Sequence, residues 1–280
     1  MNKVFSVLTC LVLVSHGFSQ EKNVESILKS VFQTNTNIKA LQMDLLINER
    51  IRGEMSPAKN FVKVNYEPFQ LYIKQTYPHA GMEMLYNELI NKNKVLIYTN
   101  SFPWKTIGID PLGLLARKET HHSIYKMGYR YVINLLENEL NKYPGSEICK
   151  YLGIVKYDNN LCYKLEISIP DFKFYDYTVK PGETLESLSY KLMVNDYMIM
   201  ERNPSVSNIQ DIKAGDILKV PSSYAKSFTI YIDVNTNLLV GIKVYDDIDL
   251  WEEFVYRNVK VNPGFSFIDF STKNMDYKIR

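Results

Sequence analysis

The feature that most constrains this chain is a series of short apolar segments separated by Gly, Pro and Asn. In the segment FQLYIKQT (69–76), apolar Leu71 and Ile73 alternate with other side chains, which places them on one face of a strand. Short strands joined by turn residues predict a meandering antiparallel sheet. The strands are expected at residues 41–50, 61–66, 69–76, 82–86, 94–98, 105–109, 148–157, 161–169, 228–233, 239–245 and 251–261.

Two segments have helical periodicity instead. Residues 23–37 carry apolar side chains in one stripe, with Asn23 as a candidate N-cap. Residues 123–143 are spaced in the same way and stop at Pro144-Gly145. Helices and a meander in separate stretches predict an α+β fold, with one curved antiparallel sheet and helices on a single face.

The segment 177–221 departs from this pattern of strands and helices. Its sequence predicts the order strand, helix, helix, strand (βααβ). Thr184 is a natural N-cap for its first helix, and Asp196 for a second helix at 197–202. Antiparallel pairing of the two end strands brings the ends of the segment together, which is the geometry that allows insertion into another domain. The flanking strands of that domain are expected at 173–175 and 228–233.

The phrases YTVKPGETLESLSYKL, Asn203-Pro204 and IKAGDILKVP follow the order of a LysM module, and the segment closely resembles that family. The resemblance implies binding of N-acetylglucosamine glycans, chiefly peptidoglycan and chitin, in a shallow groove between two loops. Carried over by position, the implied glycan-binding residues are Gly182, Glu183, Thr184, Leu185, Asn203, Pro204, Ile212, Lys213, Ala214 and Gly215.

One departure from the family is Ala214-Gly215, where Pro-Gly is usual, and it is expected to loosen the second loop. The alternative to glycan binding is a module that serves only as a rigid spacer.

The rest of the chain carries four further phrases in order, at 67–75, 81–86, 109–124 and 259–279. Together these phrases (EPFQLYIKQ, GMEMLY, IDPLGLLARKETHHSI and VKVNPGFSFIDFSTKNMDYKI) resemble an exported bacterial family of unknown function. That family has the fold of the outer-membrane lipoprotein carriers, the LolA superfamily. The resemblance implies a half-barrel of antiparallel strands closed by helices, with an apolar cavity that holds acyl chains.

No residue roles carry over from this second resemblance. Six apolar residues are candidates for the cavity wall, although such a stripe is more often ordinary core. They are Phe69, Leu71, Ile73, Leu85, Tyr86 and Ile97. The domain limits that follow are 1–19 for a signal peptide, 20–175 with 224–280 for the LolA-like domain, and 176–223 for the inserted LysM module.

The N-terminal residues predict export. Lys3 precedes an apolar run at 4–14 and then Gly17-Phe18-Ser19, which is the layout of a cleaved signal peptide. The alternative, a membrane anchor, needs about 20 apolar residues. Cys10 lies inside the apolar run, which disfavours a lipoprotein. A peptidoglycan-associated protein of the periplasm is therefore expected.

Two cysteines remain after the signal peptide, Cys149 and Cys162, and they flank a hairpin with its turn at 158–160. The turn offsets them along the two strands, which is poor geometry for a disulfide. Two buried free thiols are therefore favoured over a disulfide.

Catalytic or metal chemistry is not predicted. His121-His122 comes without an HxxxH or carboxylate spacing, so surface imidazoles are expected. The acidic pairs 246–247 and 252–253 are expected to be solvated, and no G-x-S-x-G motif is present. The net charge of +2 is spread without a basic stripe, which excludes a nucleic-acid partner. We expect no enzyme activity and no cofactor.

The leading hypothesis is a non-catalytic envelope protein that binds peptidoglycan and carries a lipid, a lipoprotein or another envelope partner. Two alternatives stay open. One is a cell-wall hydrolase targeted by its LysM module, and the other is a purely structural interaction protein with a solid core.

Overall fold

One antiparallel sheet of eleven strands dominates the computed structural model, which describes residues 23–91 and 93–280. The predicted signal peptide lies outside these residues. The sheet runs in the order β6-β5-β4-β3-β2-β1-β13-β12-β11-β8-β7, and β9 and β10 form a separate pair. The strands are β1 (Ala40–Ile51), β2 (Glu54–Tyr66), β3 (Phe69–Tyr77), β4 (Glu83–Asn87), β5 (Val95–Tyr98), β6 (Thr106–Ile109), β7 (Cys149–Tyr157), β8 (Asn160–Ser168), β9 (Phe174–Thr178), β10 (Ile217–Pro221), β11 (Ser227–Asp233), β12 (Leu239–Tyr245) and β13 (Leu250–Val261).

The predicted strands are present, with one notable extension. Strand β2, expected from residue 61, begins at Glu54, because the turn after β1 is only Arg52-Gly53, and both residues have positive φ. Such a two-residue turn matches the twist of a hairpin. Strand β2 therefore includes Pro57, which is tolerated because residues before Lys59 pair with β1 alone.

Six α-helices and two 3-10 turns accompany the strands in the described part of the chain. Asn23 caps α1 as predicted, since its side chain accepts a hydrogen bond from the Ser26 amide. The helix expected at 123–143 is broken at Gly128. The elements are α1 (Val24–Thr36), α2 (Leu114–Arg117), a 3-10 turn (Ile124–Lys126), α3 (Tyr129–Lys142), α4 (Gly145–Ile148), α5 (Leu185–Leu192), α6 (Asp196–Arg202) and a second 3-10 turn (Phe267–Phe270).

Each face of the sheet carries a core. The main core lies between its inner face and the helices α1 and α3, where Leu41, Val64 and Leu136 are buried. On the outer face of β3 to β5, the C-terminal segment packs its own small core, with Tyr277 stacked on Tyr72. The predicted α+β class and curved antiparallel sheet are confirmed. The sequence predicted helices on one face only, and it did not predict that the C-terminal segment packs on the other face.

The βααβ module of β9, α5, α6 and β10 has a separate core of apolar side chains. One prediction about its attachment is wrong. The strand expected at 173–175 as part of the large domain is the start of β9, which pairs with β10 inside the module. The neighbouring strands of the large sheet are β8 and β11, whose ends Ser168 and Ser227 pair directly. The module thus leaves and re-enters between adjacent strands.

Two further local predictions can be judged. Thr184 caps α5 in a capping box with Ser187, as expected. The cap of α6 is Asn195 rather than Asp196, because the Asp196 carboxylate is taken by two cations of the large domain.

The two cysteines are free and buried, which confirms the favoured interpretation. Cys149 pairs across the strands with Ile167, whereas Cys162 pairs with Val155, so the hairpin separates the thiols.

No helix within the described ranges is long and apolar enough to cross a membrane.

Candidate functional site

Two loops of the βααβ module meet at one end of its two-stranded sheet. The Gly215 amide donates to the Val179 carbonyl, and the Val179 amide to the Asp216 carbonyl, each at 2.9 Å. Gly182 and Gly215 have φ of +81° and +93°, a conformation that favours glycine. The predicted glycan-binding residues that are exposed are Gly182, Thr184, Pro204, Lys213, Ala214 and Gly215.

The other predicted residues support these loops from inside. The Leu185 side chain is fully buried in the module core. The Asn203 amide group donates to the carbonyls of Ile199 and Lys219, and its side-chain oxygen accepts from the Lys219 amide. Ile212 is half-buried and packs against the same core. Their side chains hold the loops in place rather than present a surface.

Glu183 stabilises the first loop through hydrogen bonds. Its carboxylate accepts hydrogen bonds from the Lys191 ammonium (2.7 Å), the Lys180 amide (2.8 Å) and the Tyr177 hydroxyl (2.8 Å). Hydrogen bonding from Lys191 and from the Lys180 amide lowers the pKa of Glu183 to about 2. The carboxylate is therefore ionised, and its oxygens already accept hydrogen bonds from within the protein.

A buried ion cluster joins the module to the large domain. Arg117, the last residue of α2, donates to Glu186 of α5 and to Asp196 of α6, each at 2.9 Å. Lys126 lies 3.3 Å from Asp196 and donates to Ser189 at 2.7 Å. The side chains of Lys126 and Asp196 have no exposed surface. The module is thus held by its helices as well as by its two chain connections.

A second contact joins α6 to the turn before β13. Asp246 is buried and pairs with Arg50 and Arg202, and Arg202 also pairs with Asp247. The expectation of solvated acidic residues is therefore wrong for Asp246, because the docked module covers it. It is also wrong for Glu252, which is 1% exposed.

An apolar cavity of about 440 Å³ lies between the inner face of the sheet and α3. Of the six candidate wall residues, Ile73 and Ile97 line it. Phe69, Leu71 and Tyr86 belong to the adjoining main core, and Leu85 belongs to the outer core. Other apolar side chains on the wall are Leu45, Ile47, Met84, Leu135 and Phe254.

One part of the cavity wall is polar. Glu49 of β1 and His122 line the cavity together with the rings of Tyr131 and Tyr224. Behind them, Glu252 of β13 accepts hydrogen bonds from Tyr224 (2.6 Å) and lies 3.0 Å from His122 Nε2. A cavity with a largely apolar wall therefore contains a compact group of ionisable side chains.

The two histidines are not surface residues. His121 is fully buried, stacked between Trp251 and Tyr197 at ring distances of 4.2 and 4.7 Å. His122 has a side chain that is only 16% exposed. The prediction failed because the docked module covers the irregular segment 118–123.

The charges in this group shift the pKa values of Glu252 and His121. Burial raises the pKa of Glu252, but the neighbouring imidazoles of His122 and His121 outweigh it and hold the pKa well below its usual range. Burial lowers the pKa of His121, but the hydrogen bond to Glu252 and the nearby Glu49 outweigh it and raise the pKa.

Glu49 and Glu252 were missed in the sequence, although a signal was available. Glu49 has the same strand parity as Leu45 and Ile47, and Glu252 the same parity as Phe254. Period-two alternation places both carboxylates on the inner face with these apolar neighbours.

Comparison with known proteins gives two family matches. The family described as "Protein of unknown function (DUF1571)" matches residues 38–191 and 202–279, and the LysM domain matches residues 177–221. Both family resemblances read from the sequence are confirmed. No curated protein matches this chain.

Several solved structures are distantly similar. The Mycobacterium tuberculosis lipoprotein LppX is 10% identical, with 87% of this chain and 99% of that chain covered and a TM-score of 0.41. A LolA superfamily protein from Nitrosomonas europaea is 9% identical, with 89% of this chain and 98% of that chain covered and a TM-score of 0.31. MucB in complex with MucA(peri) is 10% identical, with 89% and 59% covered and a TM-score of 0.41.

Proposed function

This chain belongs to the DUF1571 family and carries a LysM domain, and from that premise we propose that it is a non-catalytic bacterial envelope protein that binds peptidoglycan. The observation that carries the proposal is the LysM match over the whole βααβ module, together with the exposure of both its loops. Helices α5 and α6 face the large domain, so docking leaves the loops accessible.

The chemistry of the two loops suits an N-acetylglucosamine unit. Gly182 and Gly215 expose backbone groups that can hydrogen-bond the acetamide, and Pro204 and Ala214 offer small apolar surfaces to its methyl group. Lys213 is exposed beside them and can donate to sugar hydroxyls. The acidic group of the first loop, Glu183, is held by Lys191.

Retention on insoluble peptidoglycan tests this proposal. In Ala214→Trp, an indole projects from the second loop and blocks close approach of the glycan, and we expect retention at least tenfold weaker than wild type. The matched control is Asp176→Trp, on the exposed part of β9, whose surface ion pair with Lys219 contributes little to stability. This control should be retained like wild type.

If Ala214→Trp and wild type are retained equally, the loops do not bind the glycan. If wild type itself is not retained, the module is only a spacer. The same assay, followed for release of soluble muropeptides, tests the hydrolase alternative. We expect none, because the Glu49–His122 group lines the internal cavity rather than the module loops.

For the large domain we propose an apolar ligand, such as an acyl chain of a lipid or lipoprotein. The support is the cavity of about 440 Å³ with its aliphatic wall, since ligand pockets commonly measure about 300–1,000 Å³. We further propose that the protein acts in the periplasm, where peptidoglycan and lipoproteins are both present.

A further inference from the structure

We propose that Glu49, His122 and Glu252 form a binding site for one divalent transition-metal ion of the Zn²⁺ or Mn²⁺ type. The ligand atoms of these three residues lie within 4.8 Å of one another. The inference does not depend on glycan or lipid binding, because it rests on different side chains from the module loops and on a polar part of the cavity wall.

The strand register brings two like charges together. Glu49 of β1 and Glu252 of β13 are direct cross-strand partners. Their side chains are only 5% and 2% exposed. Like charges directly opposite each other in a sheet are destabilising, and burial away from water increases the cost. A positive charge between the carboxylates removes this repulsion.

The Glu49 carboxylate has one unsatisfied oxygen. Its Oε1 atom is buried and accepts no hydrogen bond from the residues that the structure describes. The nearest cationic candidate, His122 Nε2, is 4.0 Å away, which is too far for a hydrogen bond. An unpaired buried carboxylate oxygen is costly, and buried charges are normally paired or coordinate a metal.

The spacing of the other two ligands already suits an ion. His122 Nε2 and Glu252 Oε2 are 3.0 Å apart. Two ligands at right angles, each about 2.1 Å from a metal, are separated by about 3.0 Å. Movement of the Glu49 carboxylate toward this pair would complete three-point coordination. Glu49 and His122 line the cavity, so an ion can reach them through the cavity. Coordination positions that the protein does not fill would then face the cavity.

The surrounding groups orient the ligands. Tyr224 donates to Glu252 Oε1 at 2.6 Å, and His121 Nδ1 lies 2.9 Å from Glu252 Oε2. Such outer partners fix ligating carboxylates in metal sites. The donor set of two carboxylates and one imidazole, without a thiolate, suits Zn²⁺ and Mn²⁺. Ca²⁺ and Mg²⁺ prefer oxygen ligands alone.

The test uses the full chain without a histidine tag, dialysed to equilibrium against Zn²⁺ or Mn²⁺ and then analysed for bound metal. We expect one ion per chain in wild type, and at least tenfold weaker binding in Glu49→Gln. Zn²⁺ should also raise the thermal midpoint of wild type but not of Glu49→Gln, since a ligand that binds only the folded state stabilises it.

Two variants serve as controls. Glu139→Gln alters another fully buried glutamate with an unpartnered oxygen, on α3, and should bind metal like wild type. His79→Gln removes an exposed imidazole and should also bind like wild type.

Wild type that retains neither Zn²⁺ nor Mn²⁺ overturns the proposal. Equal binding by wild type and Glu49→Gln, or loss of binding in His79→Gln, also overturns it by assigning the metal to other groups. Peptidoglycan retention of Glu49→Gln should equal that of wild type, so failure of the metal site and failure of glycan binding are distinguishable.

Discussion

At the scale of single residues, Asp196 shows how a buried carboxylate holds two parts of the chain together. It lies on α6 of the module and contacts Arg117 and Lys126 of the large domain. Burial alone raises its pKa, but the charges of Lys126 and Arg117 outweigh burial and lower the pKa from 3.8 to about 2. The ionised form is therefore stabilised in the folded protein.

A pH-dependent contribution to stability follows. A carboxyl whose pKa is lower in the folded state stabilises fully above its unfolded pKa, and this contribution is lost as the pH falls through the folded value. At pH 7, Asp196→Asn should lower the free energy of unfolding by about 3 kcal/mol, because two cations lose a buried partner. The difference in free energy of unfolding between wild type and Asp196→Asn should shrink as the pH falls from about 4 to about 2.

Urea unfolding at several pH values measures this gap. Asp176→Asn, in an exposed ion pair, is the control and should differ from wild type by less than about 1 kcal/mol at any pH. A gap for Asp196→Asn that stays constant between pH 4 and pH 2 would contradict the assignment.

At the scale of elements, the start of α3 depends on a distant strand. Gly128 precedes the helix with φ +85° and has no side chain to cap it. The hydroxyl of Tyr66, from β2, accepts the Tyr129 amide at 2.9 Å instead. A Cβ at position 128 would collide with that hydroxyl. Helix and strand therefore fit only with glycine at 128 and tyrosine at 66.

Tyr66→Phe should lower the free energy of unfolding by about 1–3 kcal/mol, since a buried amide at the helix start loses its acceptor. Gly128→Ala should cost at least as much, because it adds the collision and the strain of positive φ. Thermal or urea unfolding followed by circular dichroism measures both. Tyr77→Phe, at a 49% exposed position, is the control and should have little effect. Equal stability of Tyr66→Phe and wild type would show that the cap is unimportant.

At the scale of the whole molecule, the cavity exists because a curved sheet and a helix face each other without filling the space between them. Ile73→Trp projects a large ring into this space, so we expect less lipid in organic extracts of the purified protein than for wild type. The measurement is mass spectrometry of the extract per mole of protein. Ile154→Trp, at a 56% exposed position on β7, is the control and should carry as much lipid as wild type.

Lipid-free wild type would instead support the alternative of a structural interaction protein without a ligand. A marked loss of folding stability in Ile73→Trp would indicate that position 73 has no room for the ring, because overpacking a filled core costs about 1–3 kcal/mol.

The sequence by itself determined the elements and the module. Strand alternation, as at Leu71 and Ile73, and the caps Asn23 and Thr184 are local signals, since they depend on neighbours a few residues apart. The LysM sequence motifs are also local signals, and they predict the βααβ order of the module.

Only the tertiary structure decided which buried polar residues meet. Glu49 and Glu252 are about 200 residues apart in the chain, and the β1–β13 register makes them partners. His121 and Asp246 are buried because the module docks over them, and Asp196 is buried because it lies on the docked face of the module. Burial and charge pairing depend on residues distant in sequence. The candidate metal site and the anchoring of the module therefore arise from strand pairing and domain docking, which local patterns do not encode.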